Sequence, residues 1–542
     1  MPPDITNIPQ LKYIFEKPRY LSICVFGIAF ILLANVATNS ISFGMSVLDA
    51  AGKTQIEHHD DIVRAIAIAV ATGSCIIHGV WRQGGIYINN ILAVMKIVIL
   101  LLIFILGMLA SSGYFGPMNG AMKTHTSFSK FMINRIFRLL PVIRTISYDK
   151  YLTQFIDAKD AEGIGADAYG YAESFLAILF AWGGFNQANY VMGEIDDPRK
   201  RYKWPAFSAV AIVSTLYVLV NVAYFIVVPE EIFTNLATNS NVAHQFFLKT
   251  LGHNKSSPWA ERAPRMLSAF MAISSLGNVI VMTYTAARVK QEIAKEGILP
   301  FRKFFASSVK SFRFSWWHSK KEALPEDIPL GALILHLIMS LILILATWKI
   351  SAIGTYGLLV DLYSYAIDAI FGAFVGLGLV YMRLFSGRGW AKHSAASGFK
   401  IPSFVSTTCA FIYGIANLYP VAAKWVPPQS KTRTPTIPWY MTGLVSWTIM
   451  IAGVVWWIVF RKVVPKFGRS HKGRYLLVTR KLWFHAENEY KVLEYEDIDF
   501  RWPPREEGME DTLLEETYNA DDTEVMIRRH DDMRDRNDSN IS

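Results

Sequence analysis

The chain has 542 residues, of which 52% are hydrophobic and 18% charged, with a formal net charge of +10 at pH 7. Apolar runs long enough to cross a hydrocarbon core of ~30 Å recur from end to end, which sets the chain apart from water-soluble domains. The basic residues sit beside those runs rather than on one domain, so the positive charge reads as topology and contact with an anionic inner leaflet, and argues against a nucleic-acid footprint.

In chain order, residues 1–19 are polar and proline-bearing, lack the apolar core of a signal peptide, and read as a cytosolic segment. About ten spans follow, at 20–48, 61–80, 88–112, 171–193, 204–228, 265–287, 328–348, 355–384, 402–425 and 437–460. They make a transmembrane domain over 20–460, and 461–542 is a cytosolic tail, basic at first and then acidic-rich and expected to be largely disordered. With both termini cytosolic, Lys/Arg collect on the inner side: Lys12, Lys17 and Arg19, then Arg199 to Lys203, then nine between Arg288 and Lys321. One outer loop departs from this pattern. Lys130, Arg135, Arg138, Arg144 and Lys150 crowd residues 113–170, so 130–154 reads as either an insertion or an ordinary variable loop.

Single residues within this frame carry different weights. Cys24, Cys75 and Cys409 fall inside spans and read as small buried apolar groups. His58-His59 has no further ligand at metal spacing, so neither a metal site nor a cofactor is expected. No Walker motif, nucleophile elbow or His-Glu-x-x-His occurs, which leaves ATP-driven transport and intramembrane hydrolysis without support, and the chain is not read as an enzyme. Asn254 opens an Asn-Lys-Ser glycosylation triplet in a loop expected outside.

Lys96 in the third span is costly, ~3 kcal/mol or more, unless it faces a cavity or a partner or snorkels to the interface. Asn35 and Asn39 in the first span, Ser274, Ser275 and Asn278 in the sixth, and Asp361 and Asp368 in the eighth are weaker candidates, each readable as an interhelical hydrogen bond. Among them Asp368 stands out, because an aspartate deep in a span needs a cationic or hydrated neighbour.

The fourth span carries Phe180-Ala-Trp-Gly-Gly-Phe-Asn-Gln-Ala-Asn-Tyr-Val-Met-Gly-Glu194, a Gly-Gly pair and a run of amides where a plain span carries Leu and Val. Unpaired backbone in hydrocarbon costs several kcal/mol per group, so a broken helix survives there only where it lines a cavity. Tyr171 to Ala181 reads as one half-helix and Gln187 to Glu194 as a second. Gly183 and Gly184 let a ligand approach backbone, and the freed carbonyls suit an ammonium. The alternative is that Gly-Gly only lets two helices pack closely.

This string and its continuation to Lys200 resemble the sixth transmembrane helix of the amino acid–polyamine–organocation superfamily, L-type branch, and within it the fungal high-affinity methionine permeases. Tyr13-Ile-Phe-Glu-Lys-Pro-Arg19 and Ala287-Arg-Val-Lys-Gln-Glu-Ile-Ala-Lys-Glu-Gly297 support the match, which runs from about Leu11 to about Arg461. The resemblance implies an all-α multi-pass membrane protein of the leucine-transporter type, with two inverted five-helix repeats and two extra helices. About ten of the family's usual twelve helices are found here, so the first two are expected to be missing.

It also implies that the substrate's amino group meets carbonyls at Phe180, Ala181 and Trp182 beside Gly183 and Gly184. Phe180 would be a gate and Asn186 a nearby polar contact. Lys96 resembles the lysine that replaces a sodium ion in sodium-independent relatives. It and Asp368 are the coupling candidates.

The expected function is proton-coupled uptake of a neutral amino acid, methionine first, by a monomer in the plasma membrane. Two alternatives stay open: a sensor or receptor that binds without transporting, and a truncated nonfunctional fragment.

Overall fold

The computed structural model describes residues 14–15, 18, 20–53, 58–116, 168–185, 187, 189–190, 201–229, 232, 241–254, 257–310, 327–385, 403–428, 437–463, 477–487 and 490–501. The stretch 130–154 lies outside them. Eight helices among the described residues are long and apolar enough to cross a membrane, and Leu330–Ala346 is a shorter apolar one. With Ala168–Trp182, the first half of the interrupted fourth span, each expected span has its helix.

The first span is two helices, α1 (Leu21–Leu33) and α2 (Ala37–Ala50), where the sequence suggests one continuous span. Asn35 makes the interruption. Its side-chain amide donates to Leu32 O at 2.8 Å and Leu33 O at 3.2 Å, and its Oδ1 accepts from Ala37 N–H at 2.9 Å. One side chain thus caps the end of α1 and the start of α2, supplying the partners that the broken backbone ladder lacks.

Next come α3 (His59–Val80), α4 (Arg82–Ser111), α5 (Ala168–Trp182), α6 (Lys203–Val227), α7 (Val242–Lys249) and α8 (Trp259–Lys295). The short α9 (Arg302–Ala306) follows. Strands β1 (Val309–Lys310) and β2 (Asp327–Ile328) pair antiparallel, Val309 with Ile328 and Lys310 with Asp327. The chain continues in α10 (Leu330–Ala346), α11 (Ala352–Tyr363), a π-helical turn Ser364–Ile370, α12 (Phe371–Leu384), α13 (Ser403–Ala423) and α14 (Met441–Ile458). Part of the tail read as disordered is ordered: β3 (Leu477–Glu487) and β4 (Tyr490–Arg501) form an antiparallel hairpin, with a bulge between Trp483 and Phe484.

The principal core is built by α1, α2, α8, the α11–π–α12 segment and α14, with Phe26, Phe30, Ile41, Ile293, Tyr365 and Phe371 at its centre. A second cluster, around Phe246, Phe247 and Val227, joins α4, α6, α7 and α8. Polarity is reversed relative to a water-soluble protein. Arg64, Lys290, His336 and Lys424 are buried, while Ile91, Val94, Trp204, Phe207, Phe404 and Ile412 are more than 50% exposed. Such apolar flanks need lipid, and the buried cations need partners inside the protein. Arg64 illustrates the second point. It donates to Asp60 O, Thr347 O and Ile350 O and lies over the Trp348 ring, tying α3 to the turn between α10 and α11.

Candidate functional site

The helix α5 ends at Trp182 because Gly184 adopts φ +103°, a left-handed conformation that a residue with Cβ takes only under strain. Gly183 N–H turns back to Phe180 O at 3.1 Å, and Gln187 N–H reaches Gly184 O at 3.0 Å. Gln187, Asn189 and Tyr190 follow in 3₁₀ geometry. Asn186 and the stretch from Val191 lie outside the described residues.

Four helices converge on this break. From α11, Tyr363 packs edge-on against Phe180 with centroids 6.4 Å apart. From α6, Tyr217 stands edge-on to Trp182 at 5.5 Å and donates its hydroxyl to Ala181 O at 3.1 Å. From α8, Thr285 hydrogen-bonds Gln187. From α1, Phe30 packs on the buried Tyr190 at 5.7 Å. Of the carbonyls assigned to a substrate ammonium, Phe180 O and Ala181 O therefore each carry one donor already. A carbonyl has two lone pairs, so each keeps one for a ligand.

Lys96 is the half-buried member of an otherwise lipid-facing stretch in which Val94, Met95, Ile97 and Val98 are exposed. Its Nζ donates to Asn278 Oδ1 at 2.6 Å, a short, charge-assisted contact. Asn278 Nδ2 donates in turn to Asn39 Oδ1 at 3.4 Å, and Asn39 Nδ2 to Met282 Sδ at 3.3 Å. Ser42 and Ser275 hydroxyls meet at 2.9 Å across the same α2–α8 seam. Room for the lysine comes from Gly277, where a Cβ would stand 2.9 Å from Lys96 Cε. Asn39, Ser275, Asn278 and Lys96, scattered over three spans, thus form one polar strip. The lysine's acceptor is thus a residue of α8.

Asp368 lies elsewhere, inside the π-helical turn. Such turns add a residue to the helical ladder and redirect side chains, often at functional positions. Its Oδ2 is buried with no hydrogen-bond partner among the described residues, and so is Oδ1 of Asn417 on α13. The turn begins directly after Tyr363, the residue that packs on Phe180, so this carboxylate belongs to the segment that covers the break.

Three features escaped sequence reasoning. The Asn35 interruption has no Gly or Pro to announce it. Tyr217 and Tyr363 are ordinary aromatics within apolar runs. Lys290 follows a span and counts there as a topological charge, and Lys424 lies unremarked at the end of another, yet both are buried.

The amino acid permease family model matches residues 6–455. The high-affinity methionine permease of Saccharomyces cerevisiae is 25% identical over 518 residues, 94% of this chain and 76% of that protein. The low-affinity methionine permease of the same organism is 25% identical over 459 residues, 84% of this chain and 70% of its own length. The Asc-type amino acid transporter 1 of Mus musculus is 33% identical over 130 residues, 24% of this chain and 22% of that protein.

Proposed function

Because the chain belongs to the amino acid permease family, and is thus a multi-pass membrane transporter of amino acids, we propose that its substrate is methionine and that protons drive the uptake. The observation that carries this reading is the break after Trp182, where free carbonyl lone pairs lie beside the Phe180–Tyr363 pair. Partial negative charge at the end of α5 suits the substrate ammonium, and the aromatic rings suit an apolar thioether side chain. Gly183 and Gly184 give the ligand access to backbone, with Asn186 as a polar neighbour. Lys96 and Asp368 are the groups that answer to proton or charge coupling. The similarity to two methionine permeases supports the choice of substrate. A monomer in the plasma membrane with both termini cytosolic completes the proposal.

The test is uptake of radiolabelled methionine by a permease-deficient fungal host expressing the full chain. Uptake above the empty vector, competed by unlabelled methionine, is expected. Uptake no greater than the vector's would sink the assignment. Phe180→Ala is expected to raise KM by roughly 2- to 10-fold, since an edge-to-face pair contributes about 0.5–1.5 kcal/mol. An unchanged KM would remove Phe180 from the gate.

Orientation has its own test. Asn254 is exposed in the connection between α7 and α8. Removal of N-glycans is expected to speed the electrophoretic migration of the chain, and Asn254→Gln to abolish that shift. A chain that migrates identically with and without the treatment would count against the outer placement of this loop.

A further inference from the structure

Lys290 and His336 are both 0% exposed, and Lys290 Nζ lies 3.0 Å from His336 Nδ1 and 3.0 Å from Ala34 O. Neither residue belongs to the site at the α5 break. Ala34 is the first residue of the interruption between α1 and α2, so the ammonium sits on the buried carbonyl end of a half-helix, where the dipole is negative. We propose that the Lys290–His336 pair is a further proton-binding site, beyond the coupling candidates Lys96 and Asp368, whose occupancy holds the hinge in the first span, and that a proton bound here moves with the substrate. This rests on the proton-coupled transport proposed above.

The geometry limits the pair to one proton. Two protonated bases 3.0 Å apart would be like charges in a water-excluded site, and the two groups titrate as a unit. In the loaded state Lys290 is an ammonium that donates to Ala34 O and to Nδ1 of a neutral His336 carrying its hydrogen on Nε2. Unloading removes one proton from the pair: Nε2–H leaves, Nδ1 takes a proton from Nζ, and a neutral amine remains that accepts from Nδ1–H. Nothing else is consumed or formed.

His336 Nε2 is buried without a hydrogen-bond partner among the described residues, which leaves it as the atom for exchange. The charge-assisted hold on Ala34 O is lost with the proton. The tie between α8 and the hinge then weakens while Asn35 still caps both half-helices.

The neighbours of the pair are few. From α3, the titratable side chains that face the pair are Cys75 and His78. His78 bonds Ile280 O through Nε2 at 2.9 Å and stacks on Tyr284, while its Nδ1 is buried without a partner among the described residues. Arg82, at the start of α4, acts on His78 and lies over Tyr284. Arg288 on α8 bonds Tyr284 and Gln291, Lys295 pairs with Glu292, and Arg302 on α9 bonds Gly297 O. No residue of α1 is ionisable except Cys24. No carboxylate forms an ion pair with Lys290 within 4 Å among the described residues, so its charge is balanced by a backbone dipole and an imidazole.

The test uses the purified full chain in liposomes, with labelled methionine as the probe. Two rates are read: exchange against internal unlabelled methionine at equal pH, and accumulation driven by an acidic exterior. The unaltered chain is expected to do both. His336→Gln and Lys290→Met are expected to keep exchange and to lose gradient-driven accumulation by roughly tenfold or more, within the usual range of a coupling between sites. Variants that accumulate like the unaltered chain overturn the proposal. So does loss of exchange in both variants, since a coupling site is dispensable for exchange. An unaltered chain that exchanges methionine but ignores the gradient overturns the proton site alone. One that does not exchange at all removes the transport reading and this proposal with it.

Discussion

Lys96→Met is expected to lower methionine uptake by roughly one to two orders of magnitude at unchanged surface expression, because a hydrogen bond to a charged group contributes about 1.5–3 kcal/mol. Methionine keeps the length and the apolar stem of the side chain but has no donor for Asn278 Oδ1, which the ammonium now meets at 2.6 Å. That contact is the head of the strip running through Asn278 and Asn39 to Met282, and so links α4 to the α2–α8 seam.

Lys96→Arg is expected to fail as well. The guanidinium is a broad planar fork, and the space beside Gly277 is cut for a narrow ammonium stem. Gly277→Ala approaches the same contact from the other side. Its new methyl would press on Lys96 Cε, the far end of a flexible chain, so the fold survives while the ammonium is pushed off Asn278. Uptake should fall while the melting temperature does not. A Lys96→Met variant that takes up methionine like the parent would show that the strip is structural only.

The part of this architecture that could be read in advance is the part written in composition. Spans follow from apolar runs, and the α5 break follows from Gly183-Gly184 because only glycine occupies φ +103° without strain. The first-span break is equally real and was not legible. It is made by one amide, Asn35, whose three hydrogen bonds to backbone are a local geometric choice that Asn39, four residues on, does not make. Asn39 instead points across to α8.

Roles of polar residues in spans were legible as candidates but not as partnerships. That Lys96 belongs with Asn278 and that Asp368 stands apart follows from the rotation of each helix about its axis, which no single span encodes. Lys290 shows the limit most clearly. It lies in Arg288–Lys295 among charges that read, from sequence, as flanking a span. Its burial is a consequence of α1 and α10 closing over that turn of α8, with Ala34 O and His336 supplied from residues more than forty positions away. The same holds for the tail. Its charged composition resembles that of a solvated segment, yet Leu477–Glu487 and Tyr490–Arg501 pair as a hairpin.

Lys424→Met is expected to destabilise the chain by about 3 kcal/mol, at the lower end of the range for removing one partner of a buried ion pair. Lys424 closes the end of α13, with its side chain 0% exposed, and its Nζ reaches Asp361 Oδ2 on α11 at 3.1 Å and Glu173 Oε1 on α5 at 3.4 Å. It also donates to Tyr169 Oη at 3.3 Å and lies 4.4 Å from that ring's centroid. Three helices are therefore held by one cation, and one of them is the half-helix that carries the α5 break.

The two carboxylates are 29% and 24% exposed, for Glu173 and Asp361 respectively, so water can rehydrate them when the lysine is gone. That hydration is why the lower end of the range applies. It also predicts partial rescue: Lys424→Met combined with Asp361→Asn, which removes the anion nearest the lost ammonium, should melt above the single Lys424→Met variant. Thermal unfolding of the purified chain in detergent checks both variants. A single variant as stable as the parent would mean that the cation is held for its effect on the motion of α5 rather than for stability, and uptake rather than melting would then register its loss.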